Sequence, residues 1–106
     1  MNRLKIEIQY FLGCPNSKRM IENVMQAVKG NEHYIDISEI LVEDNVTAEK
    51  VKFRGSPTVL INGIDLINEP EPEQSAQACR FYPNGLPDVN SIKLIIEQFL
   101  KRNDGT

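Results

Sequence analysis

A chain of 106 residues, 41% apolar and 25% charged, has the size of one domain and is long enough to bury a core without disulfide staples. A net charge of −3, with most of Lys18, Arg19, Lys50, Lys52 and Arg54 read as solvated helix surface, leaves no basic footprint for nucleic acid. No apolar run approaches the roughly 18 residues of a membrane span, and the charges at Arg3, Lys5 and Glu7 are unlike a signal peptide, so a cytoplasmic protein without membrane contact is expected.

In chain order, Leu4, Ile6, Ile8 and Tyr10 alternate with Lys5, Glu7 and Gln9, which predicts a strand over about 3–10 with one apolar face. Phe11 and Leu12 break the alternation before Gly13-Cys14-Pro15. From Pro15 to about Lys29, Met20, Ile21, Val24, Met25 and Val28 recur at helical spacing, and Gly30-Asn31 stops the helix. His33-Tyr34-Ile35-Asp36-Ile37 predicts a second strand, parallel to the first because a helix joins them. Leu41-Val42-Glu43 reads as a further extended piece. Asp44 or Asn45 caps a short helix through about Phe53 that ends near Gly55.

Ser56-Pro57-Thr58-Val59-Leu60-Ile61 and Ile64-Asp65-Leu66-Ile67 flank Asn62-Gly63, the strongest short-range hairpin signal. Residues 68–87 form a long acidic and proline-rich connection, with a short helical turn around Gln74–Cys79 as one reading of its middle. Asp88 then caps a helix to about Arg102, with Ile92, Ile95, Ile96, Phe99 and Leu100 as its buried stripe and residues 103–106 fraying. There is no internal repeat, and the whole of 1–106 reads as a single domain.

Cys14 stands where a strand becomes a helix. Unpaired N–H groups and the positive end of the helix dipole favour a thiolate there, and Pro15 suits the first helical position. The bland alternative is a small buried hydrophobe. Two widely separated cysteines are no secreted disulfide framework; in a reducing compartment such a pair is more often catalytic, metal-binding or unrelated. His33, the only histidine, has no neighbouring ligand pattern and is read as a surface or half-buried residue.

The order β-α-β-α-β-β-α, a βαβ half followed by a ββα half, is an α/β arrangement that resembles the thioredoxin fold: a four-stranded mixed sheet flanked by helices. Cys14-Pro15-Asn16-Ser17 resembles the C-x-x-C/S active-site turn, and Gly55-Ser56-Pro57-Thr58 resembles the loop whose proline is cis and opens the third strand. With Cys79-Arg80-Phe81-Tyr82, the combined pattern is similar to a small thioredoxin-like family sometimes associated with organomercury chemistry. Two departures stand out. Ser17 replaces the second motif cysteine, and Gly13 precedes Cys14 where an aromatic residue is usual. A monothiol path, a partner thiol or a resolving cysteine elsewhere must stand in.

In a fold of this kind the third strand starts at the Cys14 end and the fourth returns to it, so the connection holding Cys79 starts on the same side. A loop of about 12 residues spans the ~10–15 Å required, and a disulfide would need Cα atoms within roughly 7 Å. Cys79 also reads as a loop residue packed under Phe81 and Tyr82. The resemblance implies thiol–disulfide oxidoreductase chemistry without a cofactor. In it Cys14 attacks, Ser17 donates to the thiolate sulfur, and Cys79 resolves the mixed disulfide. Ser56, Pro57 and Thr58 meet an extended substrate, and Arg80 holds a carboxylate such as that of glutathione. Partners would be protein or small-molecule thiols and disulfides. The competing readings are a soft-metal or mercurial binder using both thiols, and a binding module without chemistry.

Overall fold

The computed structural model describes residues 3–104. Its elements are β1 (Leu4–Tyr10), α1 (Pro15–Ala27), a 3-10 turn (Glu32–Tyr34), β2 (Ile35–Leu41), α2 (Asn45–Val51), β3 (Thr58–Ile61), β4 (Ile64–Asp65) and α3 (Val89–Asp104). The strands form one mixed sheet in the order β2-β1-β3-β4. β1 is parallel to β2, with Leu4 opposite Ile35, while β3 is antiparallel to β1 and to β4. The expected α/β architecture, a four-stranded mixed sheet with three helices, is therefore the one observed.

Parity along β1 decides the layers. Leu4, Ile6 and Ile8 are almost wholly buried and share one face, where they meet Met20 and Val24 of α1 and Ile92 and Ile96 of α3. Each large aliphatic side chain buried this way contributes roughly 1.5–3 kcal/mol, so packing along its length holds α1 on the sheet. Ile40, of opposite parity to Ile35 and Ile37 in β2, joins a second cluster of Val42, Ala48 and Phe53 with Phe11 and Val51. That cluster sets α2 against the other face of the sheet. Among the described residues no helix is long and apolar enough to cross a membrane.

The ends of elements differ from expectation for local reasons. His33 and Tyr34 belong to a 3-10 turn rather than to a strand, closed by the Tyr34 N–H on the Asn31 carbonyl. β2 then runs on through Leu41, taking in the first residue of the extended piece expected there and leaving Val42 and Glu43 outside the strand. α1 stops at Ala27, and α3 continues past Arg102 to Asp104, while Gly105 and Thr106 lie outside the described residues. α2 is closed by Lys52, which takes the left-handed conformation (φ 52°), so the α2 stop is not Gly55. Asp44 and Asp88 both cap as expected, each accepting at 2.8 Å from the N–H three residues on.

Asn62 and Gly63 form the expected hairpin turn, both with positive φ. β4 is cut to two residues because Asp65 turns the chain: its carboxylate accepts from the Ile67 N–H at 3.0 Å, and its carbonyl from the Asn68 N–H at 2.9 Å. Residues 68–87 contain no helix, so the helical turn considered near Gln74–Cys79 is replaced by a short extended segment. That segment forms the site.

Candidate functional site

Cys14 occupies the N-cap of α1 in extended conformation, with Pro15 inside the first turn. Gly13, at φ +102°, reverses the chain out of β1 in a conformation that L side chains rarely adopt. Across from this turn the Ser56–Pro57 peptide bond is cis, as the resemblance implied, and Thr58 begins β3. Both features present backbone to the same rim of the sheet.

The irregular segment around Cys79 lies along that backbone, joined to it by an isolated bridge outside the four strands. The Ala76 N–H donates to the Phe53 carbonyl at 2.7 Å and the Ser56 N–H to the Ala78 carbonyl at 2.8 Å. The Arg80 N–H donates to the Ser56 carbonyl, also at 2.8 Å, which makes Ser56 and Cys79 partners in a parallel bridge. Gly55 permits the approach. A Cβ there would stand 2.9 Å from the Arg80 Cβ and 3.1 Å from the Ala78 carbonyl oxygen. The glycine that suggested a helix stop is thus needed for the crossing.

This pairing brings the two thiols together. Cys14 and Cys79 form a disulfide with Cα atoms 5.7 Å apart, inside the roughly 7 Å limit. Cys14 is 7% exposed, whereas Cys79 and its three predecessors, Ala76 to Ala78, are exposed. Phe81 is also exposed, so Cys79 is not the loop residue tucked under Phe81 and Tyr82 that the sequence allowed.

Polar contacts hold the segment from behind. Arg80 makes a two-pronged bond to Asp65 at 2.8 and 3.1 Å and a third bond to the Thr58 hydroxyl at 3.1 Å. Thr58 in turn donates to the Gly55 carbonyl at 2.6 Å. Arg54 approaches the same carboxylate at 3.4 Å, so two guanidinium groups flank one buried acid. Tyr82 is buried beneath the Arg80 guanidinium, 4.8 Å from the ring centre, and its hydroxyl donates to the Pro57 carbonyl at 2.5 Å. Burial raises the Tyr82 phenol to about 12; the nearby Arg80 charge opposes this shift and that of Asp65 adds to it.

The expected site residues therefore assemble at one rim, with several contacts unlike those expected. Ser17 is buried, and its hydroxyl lies 2.8 Å from that of Ser56, which also accepts the Phe11 N–H at 3.0 Å. The backbone of Ser56 is engaged by the Cys79 segment, and Arg80 faces Asp65. Asp65 is a structural member that sequence reasoning missed. Arg54 lies outside any helix with a side chain only 10% exposed, rather than on solvated helix surface, and Tyr82 of the Cys79–Tyr82 pattern had no role assigned to it. Asp65 does carry a signal: a lone carboxylate among Ile61, Ile64, Leu66 and Ile67 needs a buried cation. Beside the disulfide a cleft of about 310 Å³ is lined by residues including Phe11, Leu12, Cys14, Lys18 and Ile21. His33 is exposed, and among the described residues no group of three or more His, Cys, Asp or Glu side chains could hold a metal ion. In comparisons with known proteins, no family model and no curated protein matches the chain.

Proposed function

We propose that this protein is a thioredoxin-like thiol–disulfide oxidoreductase whose working couple is Cys14 with Cys79, in place of the missing second cysteine of the Cys14–Ser17 turn. The observation that carries the reading is the disulfide itself, at a helix N-terminus beside a cis-proline loop. A helix N-terminus favours the thiolate form of a cysteine and so makes it a good partner in exchange. In the forward sense two substrate thiols lose two protons and two electrons and become a disulfide, while the Cys14–Cys79 bond is cleaved to two thiols. The reverse sense oxidises the pair at the expense of a substrate disulfide. No cofactor is needed for either.

Ser56, Pro57 and Thr58 shape the rim on which the exchange takes place, and Arg80 keeps Cys79 opposite Cys14. The substrates are thiols and disulfides, carried by a protein or by a small molecule such as glutathione. Equilibration of the folded protein in dithiothreitol buffers of graded ratio tests the reading. A single reversible two-electron transition is expected, lost in Cys79→Ser. A disulfide that resists every such buffer while the fold persists would refute the proposal.

A further inference from the structure

We infer that the exchanging thiol bonds to Cys79 and that Cys14 is the sulfur that leaves, the opposite of the order expected from the C-x-x-S turn. This rests on the reading of the pair as an exchanging couple and says which sulfur carries the substrate. An attacking thiolate needs access to the sulfur it strikes and a partner sulfur that leaves as a stable thiolate. The two half-cystines divide those requirements. Cys79 lies on an exposed stretch, Ala76 to Cys79, while Cys14 is 7% exposed. Cys14 also caps α1, where the helix dipole stabilises the departing negative charge; Cys79 has no such helix beneath it.

The step balances without an added oxidant. A substrate thiolate forms a bond to the Cys79 sulfur, the Cys14–Cys79 bond breaks, and its electron pair leaves on Cys14. A second substrate thiolate then attacks the substrate sulfur of this adduct, releasing the substrate disulfide and the Cys79 thiolate. Cys79 does not drift away meanwhile. The Arg80 N–H on Ser56, the Arg80–Asp65 pair and the Tyr82 hydroxyl on Pro57 hold the chain immediately after it. Cys14 can therefore expel the substrate again if no second thiol arrives. The competing approach is through the cleft lined by Phe11, Leu12 and Ile21, which leads to Cys14.

The test maps the adduct. Oxidised protein is mixed with excess 2-mercaptoethanol, quenched with acid over a time course, digested with pepsin and examined by mass spectrometry. The mercaptoethanol adduct is expected on Cys79 in about tenfold excess over Cys14. An adduct chiefly on Cys14 overturns this assignment and leaves the couple intact; a disulfide that never opens in the folded protein overturns both. Because Cys14 can expel the adduct before the quench, the single-thiol variants supply a second measurement. At a pH where both thiols are ionised, Cys79 of Cys14→Ser should react with Ellman's reagent about tenfold faster than Cys14 of Cys79→Ser. Equal rates, or a faster Cys14, would also overturn the assignment.

Discussion

Cys14 is buried at the seam between β1 and α1, the helix whose Met20 and Val24 belong to the main core with the apolar face of β1. Cys79 stands on a segment with no regular structure, joined to the fold by three backbone hydrogen bonds and by the side chains of Arg80 and Tyr82. One half of the disulfide is positioned by burial, and the other by polar contacts around a single core residue, Tyr82. The physical consequence is asymmetric. Losing one aliphatic contact leaves the rest of a packed helix in place, whereas a charge removed from a buried pair strands its partner.

The largest effect should therefore come from Asp65. Asp65→Ala leaves Arg80 and Arg54 flanking a vacated position, and removing one member of a buried pair costs about 3–5 kcal/mol. Urea unfolding of the oxidised protein measures it; a loss below about 1 kcal/mol would mean that this side of the disulfide does not depend on the pair. Reduction comes next. Opening the bond should lower stability by about 2–4 kcal/mol, mainly by freeing the unfolded chain. Amide exchange separates the two sides: the Ala76 and Ser56 amides should exchange faster on reduction, while Val24 in α1 keeps its protection. Uniform acceleration would erase the asymmetry.

Gly55→Ala probes the contact between the regions directly. The new Cβ meets the Arg80 Cβ at 2.9 Å in a backbone at φ +108°, and strain of that kind costs about 1–3 kcal/mol. Its signature is a shifted Cys14–Cys79 equilibrium as well as a lower midpoint of unfolding. Tyr82 gives the polar side a pH dependence. Its phenol is raised to about 12 in the folded protein against an ordinary value near 10, so the unfolded chain releases its proton first. Stability should be intact below the unfolded value and fall by about 2 kcal/mol as the pH rises through the interval between them. Tyr82→Phe should remove that slope; an unchanged slope would assign it elsewhere.

The same division explains what was legible in the sequence. β1, α1 and α3 announce themselves because burial along a regular element repeats with a fixed period, as in Leu4, Ile6 and Ile8 or Ile92 and Ile96. The hairpin is legible because Asn62-Gly63 is local chemistry. Cys14, Pro57 and the convergence of Cys79 toward them follow from the order of elements. Nothing periodic marks residues 76–80, whose position is set by backbone bonds to Phe53 and Ser56 far away in the chain. Arg80 is expected to hold a carboxylate and does hold one, but Asp65 of its own chain supplies it. That pairing joins a truncated strand to an irregular segment, and no local pattern reports it.

Ser17 gives the smallest effect and the sharpest contrast between expectation and geometry. The C-x-x-S turn suggests that its hydroxyl serves the Cys14 sulfur, yet in the oxidised protein that hydroxyl lies 2.8 Å from the Ser56 hydroxyl and ties α1 to the loop preceding β3. Ser56 keeps the Phe11 N–H as a second partner, so Ser17→Ala removes one buried bond without isolating the other oxygen. The expected cost is about 0.5–1.5 kcal/mol of stability. If the hydroxyl acts as a spacer between elements, the rate at which 2-mercaptoethanol opens the disulfide should change by less than about twofold. If it stabilises the departing Cys14 thiolate, losing a hydrogen bond to a charged group should slow that step by about tenfold or more. Stability and rate measured on the one variant thus separate a residue that positions the helix from one that acts on the sulfur.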